Sequence, residues 1–346
     1  MNQNEKFKIY CYRCCEKRIS MRTMRPHITR RNDVMNDTFD YIFGYALSTA
    51  LARYWVNPDG SQGGIVSIDA KIDASVMIGK DAVVFPDANI AERACIAEKV
   101  CIGNAVRIGK QAMIDHGASI GDRSNIGERS RIYQDSFIGE NAVIAARACI
   151  GEKVYIGNFV SLAKDSIIDD GVNIGERSSI GEKTRIRQGS FIRKGCVIRQ
   201  RSVIAKRAYI DEEVYIGNAV RIGEESMIHR RSHIGSGARI GGSVCIGVYC
   251  RIESAVRIGQ QADIGEWVSI DEHARIGNFA RIGEGSKIGG RANIAAHVVL
   301  EKQSIIHSET CVQDASKTNV DMDGGMIVAC ISSSSSYGDS AISGEG

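Results

Sequence analysis

From Ile72 to Val312 a branched aliphatic residue stands at every sixth position, 41 times in succession. Ile fills 37 of these positions, and the exceptions are Val84, Leu162, Leu300 and Val312. Two residues before each aliphatic the side chain is always small: Ala, Val, Ser, Cys or Thr. One residue after it, Gly occurs 20 times, as in Ile102-Gly103 and Ile156-Gly157. A helix has an apolar period near 3.6 and a half-buried strand a period of two, so neither accounts for a beat of six sustained this long. A short internal repeat of this kind predicts a solenoid of short parallel strands. In each repeat the aliphatic and the small residue two before it face inward, while the residue between them faces out. Burying each Ile contributes about 1.5–3 kcal/mol, and stacked coils about 4.8 Å apart share one core that a single coil could not sustain.

The repeat, an aliphatic followed by Gly, Ala or Asp, two variable residues and a small one, resembles the hexapeptide-repeat proteins. It covers residues 72–312. The resemblance implies an all-β solenoid, a left-handed parallel β-helix with three hexapeptides per 18-residue coil, and hence 13 to 14 coils. The hand comes from the resemblance alone, since parallel crossovers in general favour the opposite one. A longer repeat overlies the short one: Arg131–Ile138 matches Arg185–Ile192, and Val-Tyr-Ile-Gly-Asn occurs at both 154–158 and 214–218. Such duplication suits a scaffold.

Outside the repeat the texture changes. Residues 1–34 carry nine Lys/Arg against three acids; they read as a basic segment that is disordered, or untranslated if synthesis starts at Met35. Residues 35–60 read as a cap helix: Phe39, Ile42, Phe43, Ala46, Leu47, Ala50, Tyr54 and Trp55 recur at helical spacing, Asp37 is an N-cap candidate, and Asn57-Pro58 is a stop. This amphipathic helix is expected to close the N-terminal end of the core. The β-helix is assigned to 65–314. Residues 315–346, rich in Ser and Gly, read as a flexible tail in which Met326–Ile331 can add a strand to the last coil.

The net charge of +3 splits into +6 over residues 1–34 and −3 over the rest, which makes nucleic acid an unfavoured partner for the body. Eleven Cys without disulfide rhythm point to a reducing, cytoplasmic setting. No transmembrane segment is expected, because no apolar run is long enough.

Because many hexapeptide-repeat proteins are acyltransferases, the resemblance raises an enzyme that uses a His base between subunits, an acyl-CoA or acyl-carrier donor, and a sugar or amine acceptor. Here His116, His229 and His233 are the weak candidates, on a repeat with no loop inserted between residues 72 and 312. The same superfamily includes the gamma-class carbonic anhydrases, whose zinc His ligands lie whole coils apart. No two His here are 18, 36 or 54 residues apart, so neither a metal nor any other cofactor is expected; acyl-CoA enters only with the enzyme. Two outward rows stand out instead. Arg221, Arg239, Arg257 and Arg275 recur at 18-residue spacing, a surface for an anionic polymer or an acidic protein. Phe137, Tyr155, Phe191, Tyr209 and Met227 share a second row, with Phe159 near Tyr155, and form a candidate oligomer contact. The resemblance implies a homo-oligomer, commonly a trimer. The sequence thus favours a structural or interaction rod over an enzyme, with the acyltransferase as the alternative.

Overall fold

A computed structural model describes residues 38–43, 49–313, 319–320 and 326–327. The readings of residues 1–34 and of most of the tail lie outside the described residues. The chain divides into two compact units, residues 1–213 and 214–346. Both are built as parallel β-solenoid, and together they hold about 14 turns.

In the first unit Cys101–Ile102, Arg107–Ile108 and Met113–Ile114 are successive two-residue strands. Each pairs in parallel register with the strand 18 residues on: Cys101 with Ser119, Arg107 with Asn125, Met113 with Arg131. The second unit repeats this, pairing Arg221 with Arg239, Met227 with Cys245 and His233 with Arg251. Each coil therefore has three faces. Every sixth aliphatic from Ile78 on is buried, as is the small residue two before it at every coil position but Thr310.

The turns explain why the period is six. Three residues after each aliphatic from Ile78 to Ile306 the backbone enters the left-handed region, where non-glycine residues hold φ between 52° and 64°. Backbone bonds between coils hold the turn: the N–H of Gln111 donates to the Glu92 carbonyl at 3.0 Å, and that of Arg123 to Asn104 at 2.8 Å. The frequent Gly just after the aliphatic has a packing cause. A Cβ on Gly109 would lie 2.6 Å from the Glu128 nitrogen of the next coil, so only Gly permits that approach. Most buried Ser residues are satisfied in the same way, Ser166 Oγ being an exception without a partner among the described residues. Ser124 Oγ donates to the Gly139 carbonyl at 2.7 Å and accepts from the Ala142 N–H at 3.1 Å. Cys250 occupies an equivalent position, with Sγ 2.9 Å from the Gly265 carbonyl. Burial pushes its thiol pKa up to about 11, and all the described cysteines are free.

The expected N-terminal cap helix is not found. Phe39–Ile42 (β1) and Thr49–Val56 (β2) are antiparallel strands. β2 pairs with Gln62–Ser67 (β3), which pairs in parallel with Val83–Val84. Among the described residues there is no helix; Ala46 and Leu47 lie outside them. The physical reason is the open sheet edge on the first coil. Its backbone groups need hydrogen-bond partners, which strands supply and a helix does not. The Asn57 side chain completes the cover, accepting from the Ile78 N–H at 2.8 Å and donating to the Ile78 carbonyl at 3.1 Å. Trp55 Nε1 donates to the Val76 carbonyl at 3.0 Å. Phe39, Tyr41 and Phe43 also alternate with a period of two, and Phe43 packs with Ala52 and Val83. At the other end Ile327 pairs in parallel with Ile305, so Met326–Ile327 does add a strand.

Candidate functional site

With the core closed to solvent, chemistry is confined to three outward rows and the corners between them. The 18-residue register sets what stands in each row. In the second unit it places Arg221 beside Arg239, Arg239 beside Arg257, and Arg257 beside Arg275. All four side chains are exposed, over buried Ile222, Ile240, Ile258 and Ile276. None has an ion pair or a side-chain hydrogen bond among the described residues. Small corner residues, Ala219, Gly237 and Ala255, precede the first three arginines, while exposed His273 precedes Arg275. The arrangement is a ladder of four uncompensated guanidinium groups, each with planar N–H donors suited to carboxylate or phosphate.

The same row in the first unit is different. Arg185 pairs with Asp169 at 3.3 Å, and on a neighbouring corner Arg147 holds Asp165 through two bonds of 2.6 and 2.8 Å. That pairing holds the Asp165 carboxyl below its ordinary value.

The aromatic row is only partly assembled. Phe137 and Tyr155 stack with ring centroids 5.2 Å apart. Asn173 then separates Tyr155 from Phe191, which pairs in register with Tyr209. The Tyr209 hydroxyl accepts from Arg193 at 3.1 Å. Phe159 is an exposed corner residue, and Met227, exposed, lies in the second unit.

The His residues occupy separate surroundings within their own units. His116 is half-buried in the first unit, and His229 is half-buried in the second. The His233 ring stacks on Tyr215 at 4.6 Å. Among the described residues no three His, Cys, Asp or Glu side chains could hold a metal ion. A cleft of about 440 Å³ in the first unit is lined by Tyr133, Cys149, Asp169, Asp170, Gln188 and Lys206, among others, and by no His. Burial raises the Cys149 thiol pKa, which disfavours a thiolate nucleophile there. Sequence reasoning missed the ring stacks at the corners, Tyr249 on Trp267 and Phe279 on His297. The signal was present, since both pairs are 18 residues apart.

The repeat geometry agrees with the family comparison. The GMPPB C-terminal domain matches three times in overlapping stretches, over residues 62–154, 138–230 and 222–317. The chain belongs to this family. As a GMPPB C-terminal domain relative it carries its six-residue repeat through all three matched stretches. Among curated proteins none matches it. Several solved structures are similar. UDP-N-acetylglucosamine O-acyltransferase (LpxA) from Moraxella catarrhalis is 20% identical over 54% of this chain and 70% of its own, with a TM-score of 0.24. The Arabidopsis UDP-N-acetylglucosamine acyltransferase is 19% identical over 54% and 68%, with a TM-score of 0.27. That from Campylobacter jejuni is 18% identical over 69% and 70%, with a TM-score of 0.19. At such identities and scores no residue role transfers from them to this chain. Among the described residues no helix is long and apolar enough to cross a membrane.

Proposed function

We propose that the chain is an interaction scaffold whose Arg221–Arg239–Arg257–Arg275 ladder engages an acidic macromolecule. The observation that carries this reading is the in-register stacking of four exposed guanidinium groups without internal counter-charges. A solvated surface normally intersperses both signs, as the first unit does at Arg147–Asp165 and Arg185–Asp169. A row of one sign attracts a linear polyanion or an acidic protein face. The half-exposed aromatics of the first unit, Phe137, Tyr155, Phe191 and Tyr209, are proposed to contact another copy of the chain. Calorimetric titration with linear polyphosphate and with polyglutamate tests the ladder. Arg239→Ala with Arg257→Ala should weaken binding at least tenfold without lowering the melting temperature, and unchanged affinity would refute the assignment.

The second reading is acyl transfer from an acyl-CoA or acyl-carrier thioester to a sugar or amine acceptor. It rests on the resemblance of the repeat to hexapeptide-repeat acyltransferases, and several of the similar solved structures are acyltransferases. In this chain it would draw on His116, His229 or His233 and a neighbouring subunit. Saturable thioester cleavage by the purified protein, lost on replacing one of these His by Ala, would establish it in place of the scaffold.

A further inference from the structure

The corner column Arg231, Tyr249, Trp267, Gly285 and Gln303 carries a feature unrelated to the arginine ladder. These residues occupy equivalent turn positions on successive coils, 18 residues apart. The Arg231 guanidinium lies over the Tyr249 ring, 5.7 Å from its centroid, and donates from Nη1 to the Tyr249 hydroxyl at 2.7 Å. Tyr249 in turn stacks on Trp267, with centroids 4.2 Å apart and planes 10° from parallel. There the stack stops, because the next residue is Gly285. A Cβ on Gly285 would touch only Gln303 Cγ, at 3.6 Å, and would have no atom of Trp267 within 4 Å. One face of the indole is covered and the other is bare, so Trp267 is 56% exposed. The Trp267 and Gln303 levels are two coils apart, roughly 9.6 Å. Face contacts of about 3.5–4 Å on either side leave room for one flat group.

We propose that this slot receives an arginine side chain from a partner polypeptide. The chemistry of its walls selects that occupant. A guanidinium is flat and cationic and stacks on indole more favourably than on other rings. Exposed Glu266 and Glu284 stand beside Trp267 and Gly285 in sequence, and Glu284 already holds a cation, Lys302 Nζ, at 2.9 Å. Their carboxylates can accept the in-plane N–H groups that stacking leaves free. The column performs the same recognition at its other end, where Arg231 covers Tyr249. Lysine has no flat face to stack. A nucleotide would set its phosphate against Glu266 and Glu284. Both rings are also held in backbone that favours glycine, with φ 57° at Tyr249 and 59° at Trp267, so they stand on the surface at a conformational cost.

The test uses the full chain and the indole N–H resonances. The protein has two Trp; Trp55 is buried and donates to Val76, which leaves Trp267 as the exposed reporter. N-acetyl-arginine amide should shift the Trp267 resonance saturably, while N-acetyl-citrulline amide and adenosine monophosphate should not. Gly285→Gln should weaken the arginine response at least tenfold. Gln is compatible with this turn, since Gln261 and Gln303 hold it at φ 56° and 59°. Glu266→Gln, which leaves the slot open, should weaken the response several-fold and serves as the check if Gly285→Gln lowers stability. Undiminished arginine binding in both variants, or citrulline or the nucleotide binding as tightly as arginine, would overturn the proposal.

Discussion

The two units are made of the same coil and both pair charges on their surfaces, as at Arg147–Asp165 and Arg291–Glu309, yet one row of the second unit is left unpaired. In the first unit, arginines meet acids on neighbouring coils: Arg147 on Asp165, Arg185 on Asp169, Arg193 on Glu212. In the second, four arginines meet only one another along one face. The interior cannot account for the contrast, because Ile150 and Ile168 below the first row are as buried as Ile240 and Ile258 below the second. The solenoid leaves its outward positions energetically unconstrained. What stands there reflects solvation where charges are paired, and for the unpaired row we propose recognition.

The largest effect should come from breaking what the units share. Ile180→Asp in the first unit and Ile258→Asp in the second each bury an unpaired carboxylate, costing several kcal/mol. Hydrogen exchange should then open the coils on either side, around residues 162–198 for Ile180, since each coil contacts only its neighbours. Equal protection in mutant and parent would remove the inward assignment on which the comparison rests. Next in size is self-association. Phe191→Ser with Tyr209→Ser should lower the mass seen by sedimentation if the first unit's aromatic row is a contact between copies, and an unchanged mass would leave that row unassigned.

A smaller effect should separate the units by pH. The Arg147 hydrogen bond lowers the Asp165 pKa in the folded state. Its stabilisation is therefore complete above the unfolded carboxylate value, about 3.9, and is lost as pH falls through the lower folded value. Asp165→Asn should reduce this acid dependence in the first unit, while the guanidinium ladder, having no acid partner, should keep binding polyphosphate through the same range. Smallest of all is a labelling difference. Cys250, buried and with its pKa pushed up to about 11, should resist alkylation at pH 8, whereas exposed Cys95 should react first among the described cysteines.

Much of this was legible in the sequence for a physical reason. The six-residue beat reports inward positions, and inward positions tolerate little besides Ile and small residues. The Arg221–Arg275 row was legible because register converts 18-residue spacing into adjacency. Phe39–Trp55 was misread because its apolar residues satisfy helical spacing, while the pairing demanded by the first coil's edge, met by β2, β3 and Asn57, leaves no local signature. The Tyr249–Trp267 stack follows the same spacing as the arginines, but at a corner where bulky residues in left-handed backbone are not expected. The His residues stood out by chemistry alone, and among the described residues they form no group able to hold a metal ion.

The central claim is that the four arginines act as one ladder, and the salt dependence of polyphosphate binding tests it most directly. Replacing Arg221, Arg239, Arg257 and Arg275 by Ala one after another should reduce the slope of log affinity against log salt in four similar steps, roughly one unit for each arginine removed. A slope that stays constant through all four substitutions would contradict it.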